Sequence, residues 1–178
     1  MSHINTLGAG IFTYLDIYHG DVSAISNDSA ASAWPALFTG ATNGTDHERM
    51  PSIREFPSIG TPANIVNVPV YGQSSSSQVQ GQSDAPSQEV VVNYVAEDMT
   101  AIHDLIGQSV VFRYMLATSD VDITTGLAAT LAVNNTEFYF KGKIEAILVN
   151  TSLSDAVTAN VTISVQSDVV GPVTLAAA

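Results

Sequence analysis

Asp46, His47 and Glu48 set three metal-ligating side-chain types in a row, and Asp120 and Asp122 have the spacing of carboxylates in a calcium loop. Adjacent residues in a strand or loop diverge instead of converging on one ion, so the triplet reads as ordinary polar sequence. The aspartate pair reads as a solvated turn. His103, between Ile102 and Asp104, reads as a surface or capping histidine. Gly8-Ala9-Gly10 is a fragment of a dinucleotide pattern, without its third glycine or a preceding strand. No GxSxG, HExxH, CxxC or phosphate-loop motif occurs. The chain has no cysteine, which removes thiolate chemistry and disulfides alike. Asn27, Asn43, Asn134, Asn150 and Asn160 each open an N-x-S/T triplet, read here as chance in a Ser/Thr-rich chain. The expectation is a protein without enzymatic activity, cofactor or metal.

Charge points the same way. Seventeen acids against five bases give a formal net charge of -12, which argues against nucleic-acid recognition through a basic patch. The bases are Arg49, Arg54, Arg113, Lys141 and Lys143. Lys141 and Lys143 share a strand face with Glu137 and Glu145, where opposite charges suit cross-strand pairs. With Arg113 they are the candidates for charges between subunits. The first ten residues, MSHINTLGAG, lack the basic and apolar stretches of an export signal. No apolar run approaches 18 residues, so no membrane span is expected.

The elements that would carry these residues are mostly strands, and 178 residues suit a single domain, 1–178. Residues 9–18 read as a first strand. Residues 20–60, rich in Ser, Ala, Asn, Gly and Pro, read as a long loop excursion with one short element near Trp34 to Phe38. The core is expected to fold without residues 23–58. Ala63 to Tyr71 reads as a strand. The Ser/Gln-rich stretch 72–88 reads as a loop between two strands, a polar hairpin continuing them, or a plain linker. Glu89 to Val95 places Val90, Val92 and Tyr94 on one face. A short helix at about 97–106 carries Glu97 and Asp98 at its positive end, an apolar stripe through Met99, Ile102 and Leu105 or Ile106, and Gly107 as its stop.

Three further strands follow. Val110, Phe112, Tyr114 and Leu116 share one side of 108–117. In 136–149, Phe138, Phe140, Ile144, Ala146 and Leu148 alternate with Glu137, Tyr139, Lys141, Lys143, Glu145 and Ile147. In 156–166, Val157, Ala159, Val161, Ile163 and Val165 alternate with polar residues. Such alternation means one packed and one wet face. A helix with one apolar stripe must lie on a sheet. The fold class is therefore mainly β, an antiparallel β-sandwich or part-barrel with one short flanking helix.

The order of these segments resembles the major tail tube proteins of long-tailed bacteriophages with non-contractile tails. The likeness rests on GQSD at 81–84, EVVVNYVAED at 89–98, HDLIGQSVVFRYML at 103–116, TEFYFKGKIEAI at 136–147 and the closing SDVVGPVT. It implies a subunit of hexameric rings that stack into a hollow tube, with strands from six copies closing an inner barrel. The long excursion would reach the adjacent ring. Tape-measure and tail-terminator proteins would be further partners, and DNA would pass without specific binding. Six copies would carry about -72 in formal charge, a wall that repels a polyanion. Glu89, Glu137 and Glu145 are the acids expected to face the bore. The place of such a protein is the virion, after assembly in the host cytoplasm. The alternatives are a capsid-decoration or tail-terminator protein, or a monomeric β-sandwich that binds carbohydrate. The latter needs exposed aromatics on one face, whereas Tyr14, Tyr18, Trp34 and Tyr139 are spread over separate elements.

Overall fold

A computed structural model describes residues 12–39, 41–60, 65–69, 71–72, 77–80, 87–117, 120, 135–153 and 155–173. The GQSD segment, Gly8-Ala9-Gly10, Asp122 and most of 118–135 lie outside these residues. In chain order the elements are β1 (Thr13–Tyr18), α1 (Ala33–Phe38), β2 (His47–Arg49), β3 (Ile53–Glu55), β4 (Ile65–Val68) and β5 (Ser77–Gln80). They continue with β6 (Gln88–Asn93), α2 (Ala96–Asp104), β7 (Ser109–Leu116), β8 (Thr136–Asn150), β9 (Thr158–Val165) and β10 (Val170–Val173). The fold is mainly β, a curled antiparallel sheet that forms a half-barrel, with two helices.

The main sheet runs β2-β1-β7-β8-β9-β6-β3, and β10 adds to β8. Its curl follows from the chain itself. The end strands β2 and β3 are separated only by Met50, Pro51 and Ser52, a span of at most about 14 Å from Arg49 to Ile53. A flat sheet of these strands would hold its ends about 29 Å apart at the usual strand spacing. The joining segment bonds to both sides: Met50 N donates to Leu15 O and Asn93 N to Ser52 O, each at 2.9 Å. Ser52 takes a positive φ of 49° at this seam, a conformation uncommon for a residue other than glycine.

The 20–60 excursion is therefore not a loop laid on a finished core. It supplies α1, both end strands and the buried residues Trp34, Phe38 and Met50. Removing 23–58 would take away α1, both end strands and the closure of the sheet, against the expectation that the core folds without it.

One core lies between the sheet and α2. Leu15, Ile17, Val90, Val92, Val110, Phe112, Phe140, Ile144, Ala159, Val161 and Ile163 meet Met99, Ile102 and Leu105 there. The helix presents the expected stripe, with Ile106 exposed, and Gly107 stops it at φ 78°. A second cluster, on the opposite face of β7 and β8, joins Val111 and Tyr139 to Ile25, Trp34 and Phe38. Consequently β7 is buried on both faces, not one.

The long strand β8 departs from simple alternation. Its register with β9 shifts between Ile144 and Ala146, leaving Glu145 as the extra residue. This bulge reverses the facing of everything beyond it. Ile147 packs on the core and Leu148 is exposed, the reverse of the expected assignment.

Gly142 marks a close approach. A Cβ there would lie 2.5 Å from Ser164 O and 3.3 Å from the Phe112 ring. Gly142→Ala is expected to lower unfolding free energy by about 2–3 kcal/mol, read from urea denaturation. A loss under about 0.5 kcal/mol would show that β8 and β9 can separate there without cost.

Candidate functional site: a buried charged row and an uncovered ribbon

Strand pairing alone assembles the first feature. Asp16 of β1 lies opposite Arg49 of β2 on one side and Arg113 of β7 on the other. Arg113 in turn lies opposite Tyr139 of β8. Directly paired residues share a face, so these four form one row across four strands. Glu137 and His47 stand two residues away on their own strands, on that same face. Helix α1 covers the row, with the Arg113 guanidinium 4.5 Å from the Phe38 ring centre.

Burial is complete for Asp16, His47, Arg113, Glu137 and Tyr139. Arg113 donates to Asp16 Oδ2 from Nη2 at 2.5 Å and from Nε at 3.1 Å. Arg49 donates from Nε to Asp16 Oδ1 at 2.7 Å. The Tyr139 hydroxyl donates to Glu137 Oε2. Burial by itself pushes the Asp16 carboxyl up, but Arg113 and Arg49 outweigh it and hold it below the usual carboxylate range. Burial pushes Glu137 up against the opposing pull of Arg113. Burial, with the Glu137 charge next, raises the Tyr139 phenol well above its ordinary value. Both Asp16 oxygens accept from guanidinium groups, and only the Arg49 end of the row reaches solvent, at the outer cleft. Such an arrangement locks four strands together.

Three of the expected site residues therefore have other roles. Glu137 is enclosed beside Tyr139 within the subunit and so cannot face an aqueous bore. Arg113 is enclosed with Asp16, an ion pair inside one chain, not between chains. Lys141 likewise turns inward: its Nζ donates to Val22 O at 3.1 Å and Ile25 O at 3.3 Å, pinning the loop that precedes α1. The face expected to be wet along β8 is thus covered over its first half. Lys143 is half-buried further along the strand.

Glu89 and Glu145 are exposed, and the structure gathers them along one polar face. Asn160 of β9 donates to Glu89 and accepts from Asn150 Nδ2 at 3.0 Å. Ser164 donates to Glu145 at 2.5 Å. The Asp46-His47-Glu48 triplet diverges: Asp46 accepts from Thr42 N at 2.6 Å, His47 is buried in the row, and Glu48 lines an outer cleft. Asp120 accepts from the Tyr14 hydroxyl at 2.6 Å. The cleft, of about 730 Å³, also holds Tyr14, Arg49, Arg54, Phe56 and Asp98, so its opposite charges balance.

The second feature is a two-stranded ribbon, β4 with β5, that forms a sheet of its own. Within 72–88, residues 77–80 form a strand paired with β4, and 73–76 and 81–86 lie outside the described residues. Val66 lies opposite Val79, and Val68 stands two residues along on the same face, while Ile65 falls on the other. Ile65, Val66, Val68 and Val79 are 57, 48, 41 and 53% exposed, and Tyr71 beyond them is fully exposed.

No protein-family model and no curated protein matches this chain.

Proposed function

We propose that this chain is a structural subunit that assembles with copies of itself into stacked rings, the hollow tail tube of a long-tailed phage. The observation that carries the reading is the β4–β5 ribbon. An isolated two-stranded ribbon is at best marginally stable in water. This one leaves both edges and four large aliphatic side chains without cover from the described part of its own chain. Exposed apolar surface with open edges on a strongly acidic protein is what a contact between copies requires.

The main sheet contributes less to such pairing. Its end strands are joined by one segment, and Pro172 removes a donor from β10. Ladders that continue between subunits therefore fall to the ribbon. Glu89 and Glu145, on the polar face of β6, β8 and β9, are the acids proposed to line the bore. The net charge of -12 favours passage of DNA without adhesion. Tape-measure and terminator proteins are the proposed further partners, and the phage particle, assembled in the host cytoplasm, is the proposed location.

Negative-stain microscopy of the purified protein tests this. Rings or tubes are expected. A species that stays monomeric at every concentration overturns the proposal.

A further inference from the structure

We propose that the contact of residues 33–39 and 41–49 with the sheet is an acid-sensitive latch, released when His47 takes up a proton while strands β7 to β9 stay paired. This does not rest on the tube reading. The geometry carries it. His47 is enclosed at the start of β2, and neither ring nitrogen has a hydrogen-bond partner among the described residues. Its Nε2 stands 3.9 Å from Asp16 Oδ1, beyond hydrogen-bond reach. That oxygen already accepts from Arg49. A charged imidazolium would become the third cation on a carboxylate that two guanidinium groups share.

Every element around His47 contributes to this balance. Asp16 comes from β1, Arg49 from β2, Arg113 from β7, and Asp46 from the preceding turn. Tyr18 of β1 lies directly opposite His47, Glu137 and Tyr139 of β8 stand beyond Arg113, and the Phe38 ring of α1 meets the imidazole edge-to-face with ring centres 5.8 Å apart. Side chains hold the segment, through Trp34, Phe38 and the Arg49–Asp16 pair, more than backbone does. β2 pairs with β1 over three residues, and α1 has six residues with no side-chain bond from Ser32 at its start.

Burial, with Asp16 opposing and the two arginines assisting, brings the His47 imidazole down to about 4 from 6.5. The sign follows. An opened segment binds the proton more tightly than the closed one, so the latch is firm above pH 6.5. Its closure weakens as pH falls from 6.5 towards 4. Asp16 stays ionised through this window because its carboxyl is held low. Glu137 works in the opposite sense, since its raised carboxyl favours the closed form as it protonates.

Hydrogen exchange read by mass spectrometry, corrected for intrinsic rates, tests the latch on the full chain. His47 alone is expected to raise the opening equilibrium of 33–39 and 41–49 about 50-fold between pH 7 and pH 4.5. Exchange in β7, β8 and β9 should not follow. His47→Gln should remove the rise, whereas Glu137→Gln should steepen it. Equal pH dependence in wild type and His47→Gln overturns the proposal, as does a parallel rise in the three core strands. If His47→Gln fails to fold, an NMR titration of the four histidines in the wild type decides. A His47 midpoint near 4 supports the latch, and a midpoint at or above 6.5 overturns it.

Discussion

Asp16→Ala is expected to remove about 3–5 kcal/mol of unfolding free energy, measured by urea denaturation. A folded domain holds only about 5–15 kcal/mol in total, so the variant would stand near the edge of folding. The size of the effect comes from what remains. Asp16 is the carboxylate on which Arg113 and Arg49 both converge. Without it, Arg113 keeps its charge in a site with no solvent, beside a Glu137 whose carboxyl burial has pushed towards its neutral form. A guanidinium cannot shed its proton to relieve this. Arg49→Ala should cost less than half as much, because its side chain is partly exposed and Asp16 would keep Arg113. Asp16→Leu with Arg113→Met should lose less than the two single changes together, since removing both partners leaves no orphaned charge between them. A loss below about 1 kcal/mol in Asp16→Ala would show that the row contributes little to holding β1, β2, β7 and β8 together.

The parts of this fold legible in the sequence are those whose cause is local. The stripe Met99, Ile102, Leu105 specifies α2, and the strict alternation of Ala159, Val161 and Ile163 specifies the packed face of β9; both lie as their periodicity requires. β2 and β3 were hidden because three residues each cannot display a period. The bulge at Glu145 was hidden because nothing in TEFYFKGKIEAI marks where pairing with β9 slips. The buried row depends on register between residues 97 positions apart, which no local pattern encodes. One signal was nevertheless present. Asp16 and Arg113 are single charges of opposite sign, each set within an apolar strand run. A lone charge in such a place is costly unless paired, and two of opposite sign are candidates for one another. The same consideration would have drawn Glu137 inward, away from the wet face to which alternation alone assigned it. The sequence leaves 72–88 open between loop, hairpin and linker, and the exposure of the ribbon it forms with β4 is not legible locally, because exposure is a property of the whole subunit.

The strongest test of assembly is a double change on that ribbon, Val66→Lys with Val79→Asp. The two residues are direct partners across the β4–β5 ladder. Opposite charges in that position favour the pair itself, so the ribbon keeps its strands. One base and one acid leave the net charge at -12, so added repulsion between copies cannot explain the result. Both valines are exposed in the subunit, and unfolding free energy should change by no more than about 0.5 kcal/mol. In an assembly that covers the ribbon, each contact would instead bury two charges against an apolar surface at a cost of several kcal/mol. A loss of about 4 kcal/mol raises the concentration needed for association roughly 1,000-fold. The expected result is a folded monomer, with an unchanged urea midpoint and no rings or tubes in the microscope. Tubes that form at the wild-type concentration would remove the ribbon from the contact. A collapse of the monomer would show that the ribbon packs on its own subunit. Only loss of assembly with retention of the fold fits a chain whose apolar edge is completed by its neighbours.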